Sequence, residues 1–144
     1  MIYGIRIEKL STGEYVTTCR DIPECTYTSE DLETAYSRAG EAIPFCFEFS
    51  YRQHKKAMPL PTPIKDGEMK VYVPMRVQAR ILLWNTIVTK GLSMTEFAKI
   101  AGVSNSQAQR LVDFTKNASP EGIEQALAKL GYLFDVSVIE EQSS

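Results

Sequence analysis

The chain has a single histidine and a single tryptophan, and its three cysteines form no CxxC pair. Cys19, Cys25, Cys46 and His54 together would supply four zinc ligands. Their gaps of five, twenty and seven residues fit no familiar zinc site, so the cysteines read as reduced thiols in core or half-buried positions. No metal and no cofactor is expected. No Ser/His/Asp or Cys/His set assembles around His54, which lies between Gln53 and Lys55-Lys56. Clustered carboxylates hold divalent metals in nucleases, but most carboxylates of the N-terminal half fall on the first turns of one helix as a solvated face, so an enzyme is not expected. Apolar runs of about 18 residues are absent, which excludes a helical membrane span. Met1-Ile2-Tyr3-Gly4-Ile5-Arg6 lacks the basic-then-apolar layout of a secretory signal, and a cytoplasmic location is expected. Low-complexity linkers and internal repeats are missing as well.

What remains is a globular composition, 44% hydrophobic and 24% charged over 144 residues, enough for one ordinary domain or two small ones. The net charge of −2 is divided unevenly. Residues 1–67 hold eight Lys/Arg and ten Asp/Glu, residues 68–118 hold seven and three, and residues 119–144 hold one and five. The middle segment is therefore positive, as contact with phosphates requires.

Ile2, Tyr3, Ile5 and Ile7 begin an extended run that ends in the turn Ser11-Thr12-Gly13, and Glu14 to Cys19 follows as a second strand of a hairpin. Pro23 cannot donate to a ladder and puts residues 21–25 at a sheet edge or bulge. Thr26-Tyr27-Thr28 adds a short third strand. A helix starts at Ser29 or Asp31, with Leu32, Ala35, Tyr36, Ala39, Ala42 and Ile43 on one face. Pro44 predicts a kink, after which the helix resumes through Phe45, Phe47 and Phe49 to about Arg52. These aromatics suit a core or a dimer surface better than a cofactor box. Pro59, Pro61 and Pro63 enforce an extended connection, and Lys70 to Val73 is a further strand stopped by Pro74. Residues 1–74 thus read β-β-β-α-β, and from Met75 the pattern turns helical.

A helix is predicted from Met75 to Lys90, with Ala79, Leu82, Leu83, Ile87 and Val88 buried and Gly91 ending it. Ser93-Met94-Thr95-Glu96 and Ser104-Asn105-Ser106-Gln107 are two capping boxes eleven residues apart, with Gly102 between them. They describe two short helices joined by a tight turn. Phe97, Ala101, Val103, Ala108 and Leu111 supply the small core such a pair needs. Ala98 permits the close crossing, and Gly102 sits where the chain needs positive φ. The competing reading is an αα-hairpin that only packs. As a helix-turn-helix, the second helix presents Ser104, Asn105, Ser106, Gln109 and Arg110 to DNA bases, while Thr95, Lys99 and Lys116 suit phosphates. Ser119 caps a last helix, with Ile123, Ala126, Leu127 and Leu130 as its apolar face. Tyr132 to Ile139 then reads as a strand. One strand in a helical domain leaves its backbone unpaired, so pairing through Leu133, Phe134, Val136 and Val138 with a second copy is expected, giving a homodimer or higher homo-oligomer. Glu140 to Ser144 reads as a frayed tail.

This order resembles that of the HicB antitoxins of bacterial type II toxin–antitoxin modules. The matching segments are Asp21-Ile22-Pro23-Glu24-Cys25, Glu41-Ala42-Ile43, Leu60-Pro61-Thr62-Pro63, Lys70-Val71-Tyr72-Val73-Pro74 and Gly131 to Val138, which together span nearly the whole chain. The resemblance implies an α+β protein. Its residues 1–74 would form a partial ribonuclease-H-like domain that binds and blocks a HicA-type mRNA interferase toxin. Its residues 75–144 would form an all-helical helix-turn-helix domain, with a terminal dimerisation strand, that represses the module's own operon on double-stranded operator DNA. Pro44 departs from the expected long helix. No toxin-contacting residue is assigned; by position, the edge around Arg20 to Glu24 and the helix's exposed acidic groups are the candidates, acidic groups suiting a basic RNA-binding toxin. The alternative is a ligand-sensing helix-turn-helix repressor without a toxin partner, whose pocket the Phe-rich helix would line. The apolar residues are fewer than a core plus a pocket would demand.

Overall fold

Tyr3 and Ile5, two positions apart, share one face of the first strand, and both are fully buried. That strand, β1 (Ile2–Lys9), is the centre of the sheet. In the computed structural model, which describes residues 1–141, it pairs antiparallel with β2 (Tyr15–Cys19) on one side and β4 (Met69–Tyr72) on the other. β3 (Tyr27–Ser29) pairs with β2, giving the order β3-β2-β1-β4. The protein is α+β, with this four-stranded antiparallel sheet and six α-helices among the described residues. Of the predicted tail, Gln142, Ser143 and Ser144 lie outside the described residues.

Residues 21–25 are not a sheet edge, because β2 is covered on both sides and the edges are β3 and β4. They form a turn-rich connection instead, with Ile22 N–H donating to the Cys19 carbonyl and Cys25 N–H to the Ile22 carbonyl, and they bury Ile22 and Cys25. Arg20 is occupied within the fold. It reaches Glu68 at 3.1 Å and the Pro63 carbonyl at 2.9 Å, while Asp21 accepts from the Thr62 N–H at 2.9 Å. The proline-rich connection is thereby pinned across the end of β2, and the Tyr3 hydroxyl fixes its start by donating to the Pro59 carbonyl at 2.6 Å. All three cysteines are free; Cys19 and Cys25 are buried and Cys46 half-buried. Its neighbour Cys46 and its burial push the Cys25 thiol well above its usual pKa.

The helical stretch after β3 is capped by Asp31, whose carboxylate accepts from Thr34 N–H at 2.7 Å; Ser29 ends β3 instead. It breaks where no break was expected, at Arg38, into α1 (Leu32–Ser37) and α2 (Ala39–Cys46). The Arg38 guanidinium leaves the helix to donate to the Thr28 carbonyl and Ser29 Oγ and lies over the Tyr27 ring. Pro44 sits inside α2, and the disturbance appears one turn later as a π-helical turn, Phe47–Tyr51, followed by a 3-10 turn, Arg52–His54. Wider turns of this kind absorb a mismatch in the helical ladder. The aromatics divide accordingly: Phe47 is fully buried, whereas Phe45 and Phe49 are exposed and stack on each other at 4.4 Å.

The remaining helices are α3 (Met75–Thr89), α4 (Met94–Ala101), α5 (Asn105–Val112) and α6 (Pro120–Lys129). α3 buries Arg80, Ile81, Leu83, Trp84 and Ile87, while Ala79, Leu82 and Val88 are half-buried. Residues 132–139 form no strand within the chain. One buried cluster runs from Tyr3 and Ile5 through Phe47 to Phe97, Val112 and Ile123. Phe47 links its two ends, with its ring 5.9 Å from Tyr3 and 5.5 Å from Phe114. Phe47→Ala is therefore expected to cost about 3–5 kcal/mol, with the urea midpoint of Trp84 fluorescence falling together with that of the sheet's circular dichroism. A Trp84 midpoint left unmoved would mean that the two halves unfold independently.

Candidate nucleic-acid interface

The α4–α5 pair is built by local chemistry at three points. Ser93 Oγ accepts from Glu96 N–H and Glu96 returns a bond to Ser93 N–H, and Ser104 and Gln107 repeat the arrangement at the start of α5. These bonds hold the Glu96 carboxyl below its usual pKa. Gly102 ends α4 at φ 72°, while a Cβ there would meet nothing, so the backbone conformation alone calls for glycine. Val103 N–H donates to the Ala98 carbonyl and closes the turn. Phe97, Ala98, Ala108 and Val112 are buried between the helices; Ala101, Val103 and Leu111 are half-buried around them. α6 and α3 close this core from behind with Ile123, Ala126, Ile81 and Ile87.

Burying that face leaves the other in solvent. Asn105, Ser106, Gln109 and Arg110 are exposed and share the outer side of α5, at the i, i+1, i+4 and i+5 spacing of one helix face. Thr95 and Lys99 on α4 and Lys116 beyond α5 are also exposed. Ser104 is exposed, but its Oγ already accepts from the Gln107 amide as the helix cap. Such a surface offers amide groups that both donate and accept, one planar guanidinium and flanking ammonium groups, the set that suits base edges and phosphates.

The far end of α5 is held by residues that sequence patterning missed. Arg80 is 3% exposed and donates to the carbonyls of Leu111 and Arg110 at 3.0 and 3.1 Å. Carbonyls at a helix C-terminus lack partners in their own helix, and a cation suits that end of the dipole. Burial lowers the pKa of Arg80, yet an arginine keeps its proton at any ordinary pH. Glu48, 1% exposed, accepts from Phe114 N–H at 2.9 Å, from Gln53 at 3.1 Å and from the Arg52 guanidinium. Arg52 then donates its remaining nitrogen, Nη1, to Gln109 Oε1 at 3.1 Å. One available signal was Arg80 recurring at the buried spacing of α3. The other was the i, i+4 relation of Phe47 to Tyr51, which turns Glu48 inward beside them.

Leu133, Val136 and Val138 are exposed, whereas Phe134 is half-buried against the chain's own core. Among the described residues no group of three or more His, Cys, Asp or Glu could hold a metal ion, and no helix is long and apolar enough to cross a membrane.

Known proteins resemble this chain over most of its length. The family model for the HicB-like antitoxins of bacterial toxin-antitoxin systems matches residues 2–82. Antitoxin HicB 2 of Photorhabdus laumondii is 30% identical, with 91% of each chain covered. Antitoxin HicB of Pseudomonas fluorescens is 30% identical over 94% of this chain and 92% of its own. Antitoxin HicB of Escherichia coli is 25% identical over 91% of this chain and 94% of its own.

Arg80→Met keeps the bulk of the side chain but leaves two helix-end carbonyls without a donor, an expected cost of about 1–3 kcal/mol. Native-state hydrogen exchange should register it as faster exchange at the last turn of α5, with α4 little changed. Equal protection in the two proteins would mean that Arg80 does not hold that end.

Proposed function

The chain belongs to the HicB-like antitoxins of bacterial toxin-antitoxin systems, and we propose that it binds and inhibits a HicA-type mRNA interferase toxin and represses its own operon by binding operator DNA. Residues 1–74 are the toxin-binding, partial ribonuclease-H-like part, and residues 75–144 are the part that reads DNA and dimerises. Family membership supports the antitoxin role. The observation that carries the repressor role is the capped helix pair, α4 and α5, whose outer face holds Asn105, Ser106, Gln109 and Arg110 free of the core.

In this reading the pair is a helix-turn-helix with α5 in the major groove. Asn105 and Gln109 suit adenine, Arg110 suits guanine, and Ser106 serves either bases or phosphates. Ser104 completes the edge of this surface while capping the helix. Thr95, Lys99 and Lys116 fix the register on phosphates. A palindromic operator asks for a two-fold protein. Leu133, Val136 and Val138, exposed on an unpaired segment, support pairing of the same segment from two copies, with Phe134 anchoring it to its own subunit. Exposed Glu33 on α1 and Glu41 on α2, with exposed Glu30 just before the cap of α1, give the N-terminal half acidic groups along its helical arm, which suits a basic, RNA-binding partner.

The sensor alternative draws no support from the aromatics that were to line its pocket. Phe47 is packed solid by Tyr3, Tyr51 and Phe114, and Phe45 and Phe49 face outward.

Coexpression with the neighbouring reading frame tests the whole proposal, reading growth rescue and promoter repression together. Gln109→Ala/Arg110→Ala should abolish repression and leave rescue intact; loss of both would overturn the division of labour between the two parts. Deleting residues 132–144 should halve the mass measured by light scattering, and an unchanged mass would rule out pairing through that segment.

A further inference from the structure

Gln109 is the only residue on the outer face of α5 with a side-chain hydrogen bond to the N-terminal half among the described residues. Its partner, Arg52, lies 57 positions earlier in the chain, outside every element of the helix pair. The bond ends a continuous series. Phe114 N–H donates to Glu48, Glu48 accepts from Nε and Nη2 of Arg52, and Nη1 of the same guanidinium donates to Gln109 Oε1. Neutralising the buried Glu48 occupies only one edge of the guanidinium, so that role leaves the third nitrogen unexplained. Asp113 stands 3.9 Å from Nη2, a second carboxylate on the guanidinium that does not compete for Nη1.

We propose that Arg52 is a positioning residue for base reading, which fixes the orientation of the Gln109 amide; this rests on the proposal that α5 reads DNA. A guanidinium has donors and no acceptor, so only the oxygen of an amide can face it. The Gln109 Nε2 group is thereby turned away from Arg52, and Oε1 keeps a second lone pair. Bidentate recognition of adenine needs such an amide, with one donor and one acceptor presented together in a known order. An unbraced glutamine on an exposed helix face samples several rotamers and both amide orientations, and fixing it on each encounter weakens discrimination. Arg52 is itself immobilised by its bonds to a carboxylate that is 1% exposed. Lysine is no substitute, because one ammonium can pair with Glu48 but lacks the rigid fork that reaches both partners.

The test is selection from a pool of randomised DNA duplexes by the full-length protein, comparing wild type, Gln109→Ala, Arg52→Lys and the double variant. Arg52→Lys should lose about tenfold in preference at the same base pair that Gln109→Ala affects, with preferences elsewhere unchanged. The double variant should lose no more than Gln109→Ala alone, as coupled residues do. If Arg52→Lys melts below the assay temperature, Glu48→Gln/Arg52→Met takes its place, since it leaves no unpaired buried charge and keeps an acceptor for Phe114 N–H. Full preference in the Arg52 variant, beside a loss in Gln109→Ala, would overturn the brace and leave DNA reading by α5 standing. Uniform weakening at every position would overturn it too, by making Arg52 a phosphate contact or a structural residue. A wild-type protein that enriches no sequence, or a Gln109→Ala protein that enriches the wild-type sequence, would remove the reading itself and the brace with it.

Discussion

The pairing of Glu48 with Arg52 and with the Phe114 amide is the interaction on which the two halves of the molecule depend. A carboxylate 1% exposed is unfavourable unless its oxygens are fully bonded, and here they accept from a guanidinium, a carboxamide and a backbone N–H. Those donors come from sequence neighbours and from a residue 66 positions away. The bond therefore closes the helical arm after β3 onto the end of α5. Phe47 packs against Phe114 beside it, so an apolar contact and a polar one span the same junction.

A second set of bonds works in the same direction from α3. Arg80 holds the end of α5 through two carbonyls. Trp84 Nε1 donates to the Lys56 carbonyl at 2.7 Å, and the Asn85 amide both accepts from Met58 N–H and donates to the Met58 carbonyl. The extended segment that leaves the helical arm is thus fastened to the helix that begins the C-terminal half. The outer face of α5 is consequently set by two supports. One is its own small core against α4, and the other is a polar clasp whose parts lie mostly before residue 81. For an antitoxin of the HicB-like family, the surface proposed to read DNA is in physical contact with the half matched by the family model.

Local signals carried much of the fold into the sequence. Residue alternation marked β1 and β2, the Ser11-Thr12-Gly13 turn marked their hairpin, and two S-x-x-E/Q boxes with Gly102 marked α4 and α5, because each depends on chemistry within a few residues. The long helix was less legible. Pro44 was expected to kink it with the helix resuming beyond, but a break fell earlier, at Arg38, where a guanidinium found the Thr28 carbonyl and Ser29 Oγ, partners that no helical spacing predicts. Likewise, Phe45, Phe47 and Phe49 read alike in sequence, yet Phe47 turns into the core while Phe45 and Phe49, four positions apart, meet on the outer side.

By itself, the sequence determined the β1–β2 hairpin, the α4–α5 pair with its caps and turn glycine, and the exposed polar residues Asn105, Ser106, Gln109 and Arg110, since hydrophobic periodicity and capping act over one or two helical turns. Only the tertiary structure decided that Glu48 and Arg80 are buried and that Arg52 lies half-buried between Glu48 and Gln109. Arg80 donates to two carbonyls 30 and 31 positions away. Glu48, although Arg52 answers it one turn along, is fully bonded only because the Phe114 N–H arrives as a partner from a distant part of the chain. No local pattern encodes that partner, so no local pattern could have revealed that Arg52 stands beside Gln109.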